Sequence, residues 1–237
     1  MRCILSAFFK PLFYKSFNGG AAMKNYDVIL FDLDGTLTDS SPGIINSIIY
    51  ALDKYGISLE DTAVLRKFLG PPLHESFKAF CGFDDEKAME AVNYYREYFS
   101  TKGLLENEVY DGIASLLKNL CDKGKRLIVA TSKPQKFTDR IMAHFALDQY
   151  FEFVAGSNMD GTRSKKAEVI EYALQKCQIT DKTKVVMVGD RMHDIIGAKA
   201  VGIDSVGVEY GYGDYDELND AGANYIVKTV DELKRYL

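Results

Sequence analysis

No cluster of basic residues, no CxxC pair and no apolar stretch long enough to cross a bilayer marks this 237-residue sequence. With a formal net charge of -5 and no Lys/Arg patch, a nucleic-acid backbone is not an expected partner. Cys3, Cys81, Cys121 and Cys177 are scattered, which gives neither a zinc site nor a disulfide framework and fits a reduced, cytoplasmic setting. The opening MRCILSAFFKPLFYKSFNGGAA has a basic start, but Lys10 and Pro11 break its apolar run after Cys3–Phe9. A spanning helix needs about 20 apolar residues and a secretory core roughly 7–15, so no membrane partner is expected. Residues 1–22 are expected to be a disordered extension outside the fold. Internal repeats and low-complexity tracts are absent too.

What is present is an ordinary globular balance, 47% hydrophobic and 27% charged, in a chain long enough for one core and a modest accessory domain. From Asp27 onward, short apolar runs alternate with amphipathic helical patterns. DVILF, RLIVAT, FEFVA, KVVMVG, DSVGV and YIV read as strands. Helices are expected after Ser40 or Ser41 with Pro42 in the first turn, after Asp111 as a cap, after Pro134, and over Lys166–Cys177, Asp194–Ala200 and Val230–Tyr236. Repeated βα units define an α/β fold with a parallel sheet covered on both faces, whose ligands bind beyond the carboxyl ends of the strands. Between Pro42 and Leu105 only helical patterns occur. One, Asp84–Tyr98, carries Met89, Val92, Tyr95 and Phe99 at helical spacing, and Gly70-Pro71-Pro72 must be a loop. This block reads as a small all-helical insertion after the first strand.

The polar residues that carry chemistry fall at strand ends. Asp32 and Asp34 follow DVILF, and two carboxylates so close repel unless a divalent cation sits between them and the substrate. Asp-Gly is also a common turn dipeptide, so the pair alone suits a turn equally well. After RLIVA, the hydroxyl of Thr131 or Ser132 can donate to a phosphoryl oxygen or simply cap a helix. After KVVMV comes Gly189-Asp190-Arg191-Met192-His193-Asp194. Asp190 suits a metal, Asp194 suits orientation of its surroundings, and His193 reads as a packed or solvent-facing side chain. Lys165 and Lys166 precede a helical pattern, where a cation opposes the macrodipole unless an anion lies close by.

Together and in this order, Asp32–Thr38, Thr131, Lys166 and Gly189–Asp194 resemble the motifs of the haloacid dehalogenase (HAD) superfamily of aspartate-nucleophile phosphohydrolases. DLDGTLTDS is the specific part, and the likeness runs from about Met23 to the C-terminus. Within the superfamily the chain looks most like the phosphoglycolate phosphatase-like branch, whose relatives include 5′-nucleotidases.

The resemblance implies a Rossmann-like core of residues 23–41 and 106–237 with a helical cap of residues 42–105. It implies Asp32 as nucleophile, Asp34 as acid and base, and Thr131, Ser132 and Lys166 on the phosphate, with Lys165 as the alternative lysine. Mg²⁺ would be held by Asp32, the Asp34 carbonyl and Asp190, with Asp194 behind. One departure is the missing Pro-rich segment after the lysine.

The implied function is Mg²⁺-dependent hydrolysis of a small phosphorylated metabolite, phosphoglycolate phosphatase-like or 5′-nucleotidase-like, through an aspartyl phosphate, by a monomer or homodimer. The alternatives are a sugar phosphomutase, although SPGIINSIIYAL lacks the expected His, a non-catalytic phosphate-binding relative, or a shorter signalling receiver. Gly70–His74 is read either as a loop over the active site or as a turn between cap helices. Tyr94, Tyr95, Tyr98 and Phe99 are expected to be core packing in preference to a nucleobase platform, and Tyr210–Gly213 a flexible loop near the site.

Overall fold

The computed structural model describes residues 24–58 and 62–237, so the expectation for residues 1–22 lies outside it. In chain order, β1 (Val28–Phe31) leads through β2 (Thr38–Asp39) to α1 (Ser41–Asp53), α2 (Thr62–Arg66), α3 (Leu73–Cys81) and α4 (Asp85–Tyr98). A short π-helical segment, Phe99–Gly103, continues α4. The chain returns through β3 (Glu108–Val109) and α5 (Ile113–Asp122) to β4 (Arg126–Pro134), α6 (Gln135–His144) and β5 (Phe153–Ser157). It closes with α7 (Lys166–Lys176), β6 (Val185–Gly189), α8 (Met192–Val201), β7 (Asp204–Val208), α9 (Tyr215–Ala221), β8 (Tyr225–Val227) and α10 (Val230–Leu233).

All six expected strands form one parallel sheet in the order β5-β4-β1-β6-β7-β8. The unbroken apolar character of β1 follows from its central place, because both of its faces are covered. Val28 and Leu30 pack with Ile170, Ala173 and Ala198 of α7 and α8, whereas Ile29 and Phe31 join Leu117 of α5 and Ile141 of α6. That second cluster continues into the helical block through Ile48, Phe77, Val92 and Phe99. Phe99 meets Phe137 of α6 edge to face, with ring centroids 5.4 Å apart. The α/β, Rossmann-like architecture is therefore as the sequence implies.

Local details differ. Gly112, at φ 85°, occupies the N-cap of α5 in place of Asp111, and α10 stops at Leu233, short of Tyr236. Met89 is 48% exposed; Ala88, Ala91, Val92 and Tyr95 make the inner face of α4. Helix α9 escapes the periodicity argument because Leu218 is its one buried residue, and its start is fixed by the Asp214 carboxylate accepting from the Glu217 N–H (2.8 Å). The antiparallel pair β2–β3, two residues per strand, is too short to leave an alternation pattern. It joins the two connections between the sheet and the helical block.

Within that block α1 lies so close to the π segment that no side chain fits between them. A Cβ on Gly43 would sit 1.8 Å from the Gly103 carbonyl oxygen. Replacement Gly43→Ala should therefore force the two segments apart and lower stability by about 1–3 kcal/mol, read from the urea midpoint at unchanged slope.

Candidate active site

Because β1 lies between β4 and β6, the residues at the carboxyl ends of those three strands converge. Asp32 follows β1, Thr131 lies in the second half of β4 and Asp190 follows β6. Lys166, the first residue of α7, points its ammonium into the same space. Its Nζ lies 2.9 Å from Asp32 Oδ2 and 2.7 Å from Asp194 Oδ1, and donates to the Ala130 carbonyl at 3.0 Å. The side chain is 3% exposed, whereas Lys165 is exposed, so the structure brings Lys166 and not its neighbour to the aspartates. Two carboxylates explain how a cation is accommodated at a helix N-terminus, where the macrodipole opposes it. Burial disfavours the charged lysine, but Asp194 and Asp32 more than offset it and raise its pKa.

Asp32 Oδ1 accepts from the Leu33 N–H (2.7 Å), and the nearby Thr131 hydroxyl favours its charged form. Burial pushes its carboxyl above the ordinary range, Lys166 pulls it down, and the nearby Asp194 charge pushes it up again. Asp190 is fully buried; its Oδ1 accepts from the Thr36 hydroxyl (3.2 Å) and its Oδ2 from the Tyr212 N–H (2.8 Å). Its pKa is raised well above the carboxylate range, first by burial and then by Asp194 and Asp32.

The ligand-capable oxygens of Asp32, Asp190 and Asp194 lie within 4.8 Å of one another. Lys166 alone, among the described residues, forms ion pairs with this cluster, and none reaches Asp190. Three clustered carboxylates against one ammonium form an oxygen-only donor set with excess negative charge, which fits a hard divalent cation. The backbone approaches to match: Gly35, at φ 80°, would place a Cβ 2.1 Å from Asp190 Oδ2.

Asp34 turns its carboxylate away from this cluster. Its Oδ1 accepts from Ser40 Oγ (2.7 Å) and its Oδ2 lies 2.7 Å from Lys133 Nζ. Ser40 is thus at the N-cap of α1 as expected, but its hydroxyl holds Asp34 instead of capping the helix. Any metal contact from Asp34 falls to its main-chain carbonyl. Lys133 was missed from the sequence although its signal was there. Alternate residues of a strand share a face, so the alternation that buries Thr131 also buries Lys133 and leaves Ser132 exposed. The Lys133 side chain is 5% exposed and its Nζ lies 4.6 Å above the Phe99 ring. The Ser132 side chain makes no contact with the aspartate cluster among the described residues; its carbonyl accepts from Ser157 Oγ (2.8 Å).

The Tyr210–Gly213 segment is near the site as expected but is tied down. Besides the Tyr212 N–H on Asp190, the Tyr210 hydroxyl donates to the Thr36 carbonyl (3.1 Å), and the Tyr212 hydroxyl accepts from the Ser40 N–H (3.0 Å). His193 is exposed. Of the Gly70–His74 segment, His74 turns to its own block, 3.6 Å from Asp85 Oδ1. Just before it, the Leu69 carbonyl accepts from Arg191 Nη1, while Arg191 Nε pairs with Glu217 Oε1 at 2.8 Å. The helical block thus rests on the residue next to Asp190. Tyr95 and Phe99 are buried and stacked on each other with centroids 5.3 Å apart, as core packing requires. Cys81, Cys121 and Cys177 are free, and among the described residues no helix is long and apolar enough to cross a membrane.

This arrangement has close counterparts. Residues 29–208 match the family of haloacid dehalogenase-like hydrolases. A 5′-nucleotidase of Pseudomonas aeruginosa is 48% identical over 197 residues, 83% of this chain and 89% of that protein. A Mycobacterium tuberculosis protein named tyrosine-protein kinase PtkA is 41% identical over 212 residues, 89% of this chain and 72% of its own. The crystal structure of a predicted phosphatase from Clostridium acetobutylicum superposes with a TM-score of 0.84 at 50% identity, covering 90% of this chain and 98% of that one. The chain belongs to the haloacid dehalogenase-like hydrolases. Within that family it is a phosphatase.

The raised carboxyls give a pH-dependent test that needs no turnover. A carboxyl with a raised folded-state pKa favours its protonated form in the native chain, so that stability is present at low pH and lost as pH rises through the raised value. The melting temperature of metal-free protein should accordingly fall as the pH is raised above the ordinary carboxylate range. Mg²⁺ should restore it, more at the higher pH, where the aspartates are ionised. A Mg²⁺ effect equal at both ends, or none, would count against the aspartate cluster as the metal site.

Proposed function

We propose that the protein hydrolyses a small phosphomonoester through an aspartyl phosphate on Asp32, with Asp34 as acid and base. The observation that supports this most is the division of labour between the two aspartates. Asp32 stands beside Lys166 and the carboxylate cluster, and Asp34 is held apart by Lys133 and Ser40. Asp32 Oδ attacks phosphorus as the bond to the leaving oxygen breaks, and Asp34 delivers its proton to that oxygen. Asp34 then takes a proton from water as the water attacks phosphorus, and Asp32 is released as a carboxylate. Thr131 and Lys166 stabilise the phosphoryl oxygens as charge redistributes, with Ser132 at the exposed edge as a second hydroxyl. A magnesium ion on Asp32, Asp190 and the Asp34 carbonyl, with Asp194 behind, would neutralise the crowding of negative charge.

In this reading residues 42–105 form the cap over a core of residues 23–41 and 106–237, and the cap selects the leaving group. The 48% identity to a 5′-nucleotidase makes nucleoside monophosphates the first substrates to try, with phosphoglycolate beside them. Mutase chemistry is disfavoured because His74 faces Asp85 in its own block. Transfer to a protein tyrosine, the activity in the name of the mycobacterial relative, needs an aspartyl phosphate that survives water, and a base placed like Asp34 works against that.

Asp32→Asn, with Mg²⁺ and p-nitrophenyl phosphate, should lower kcat/KM by about a thousandfold or more while the circular dichroism spectrum is retained. Turnover by this variant at the parent rate would remove the scheme.

A further inference from the structure

Ser40 stands at the N-cap of α1, yet its hydroxyl makes no capping bond to that helix. The N–H groups that a capping hydroxyl would accept from are already accounted for. Pro42 has no N–H, the Gly43 N–H donates to the Glu106 carbonyl (3.0 Å), and the Ser41 N–H donates to Asp39 Oδ1 (3.0 Å). The buried Ser40 side chain is thereby free for Asp34, whose Oδ1 accepts from it at 2.7 Å. A serine hydroxyl has one proton, so its lone pairs are left for another donor.

Tyr212 meets that serine at two atoms. Its hydroxyl accepts from the Ser40 N–H (3.0 Å) and lies 3.2 Å from Ser40 Oγ, with Asp39 Oδ1 at 3.3 Å as a competing acceptor. Because the Ser40 proton is engaged by Asp34, the phenol is the donor in the contact with Oγ. Two hydroxyls thus run in series from Tyr212 through Ser40 to Asp34. The phenol is anchored from behind by its own backbone. The Tyr212 N–H donates to Asp190 Oδ2 (2.8 Å). A Cβ on Gly211 would sit 2.3 Å from the Gly35 carbonyl oxygen, and one on Gly213 would sit 2.1 Å from the Asp190 carbonyl oxygen. The segment is packed too closely to shift. It reaches Asp34 on the Oδ1 side, opposite the oxygen that Lys133 holds at 2.7 Å.

We propose that Tyr212 is a positioning residue for the reaction: its hydroxyl, acting through Ser40, keeps the Asp34 carboxyl aimed at the leaving oxygen. The inference rests on Asp34 serving as the acid, as in the reading above. A carboxyl held at both oxygens stands in one geometry, and a misplacement of about 1 Å is enough to cost a large factor in rate.

p-Nitrophenolate departs without a proton, whereas the alkoxide of an alkyl ester does not. The ratio of kcat/KM for glycerol phosphate to that for p-nitrophenyl phosphate therefore reads the acid. Tyr212→Phe keeps the ring and the main-chain N–H, and it should lower this ratio by about fivefold, the effect of one hydrogen bond. Ser40→Ala should lower it at least as far, and adding Tyr212→Phe to Ser40→Ala should lower it no further. An unchanged ratio in Tyr212→Phe, whether both esters fall equally or neither falls, overturns the inference. So does a second loss of the same size in the double variant, because the hydroxyl would then act by a route other than Ser40. Failure of the underlying reading is told apart by Asp34→Asn, which would then leave the ratio at its parent value.

Discussion

The arrangement of the site depends on one buried ammonium. Lys166 lies between Asp32 and Asp194, two carboxylates brought together at the carboxyl ends of the adjacent strands β1 and β6. Removing one partner from a buried ionic group of this kind typically costs about 3–5 kcal/mol, because the remaining charges stay desolvated. The lysine therefore fixes where Asp32, the proposed nucleophile, can stand, and it does so from the first turn of a helix that would ordinarily repel it. It leaves Asp190 without an ion pair. The excess negative charge that results suits the cluster to a divalent cation, and the Asp190 carboxyl is raised first by burial and then by the charges of Asp194 and Asp32.

A second cation does a different task. Lys133 is set apart from Lys166, and it engages Asp34 alone. Its underside is Phe99, where α4 gives way to the π segment, and Phe99 in turn meets Phe137 of α6. The carboxylate proposed as acid and base is thus held by a lysine of the core that stands on an aromatic ring of the helical block. On the other side Arg191, next to Asp190, reaches the Leu69 carbonyl. Both contacts tie the position of the helical block to groups of the candidate site, so that movement of the block and readiness of the site are physically linked.

Much of this was legible in the residues. Strands buried on both faces announce themselves as continuous apolar runs, and all six were visible. Asp32, Thr131, Asp190 and Asp194 could be singled out because each falls at or just after a strand end where ligands of such sheets gather, and Lys166 because of the family resemblance. What stayed hidden has physical causes. Lys133 was not singled out although strand alternation puts it on the face of Thr131, because a charged side chain is seldom buried unless paired and its partner lies 99 residues away. Helix α9 buries Leu218 alone and so carries no periodic signal. The choice between Lys165 and Lys166 turned on which faced inward at a helix start, a matter of rotation that spacing does not determine. Met89 misled because helical spacing names a face without saying how wide its buried stripe is.

The central claim is that the phosphoryl group passes through Asp32, and trapping that ester tests it most directly. In an Asp34→Asn protein, p-nitrophenyl phosphate still offers a leaving group that departs without a proton donor, while the hydrolysis of the ester loses its base. After incubation with Mg²⁺ and an acid quench, peptide mass spectrometry should find one phosphoryl group per chain, on Asp32. Release of a full equivalent of p-nitrophenolate with Asp32 unmodified, or with the group on another residue, would contradict the account.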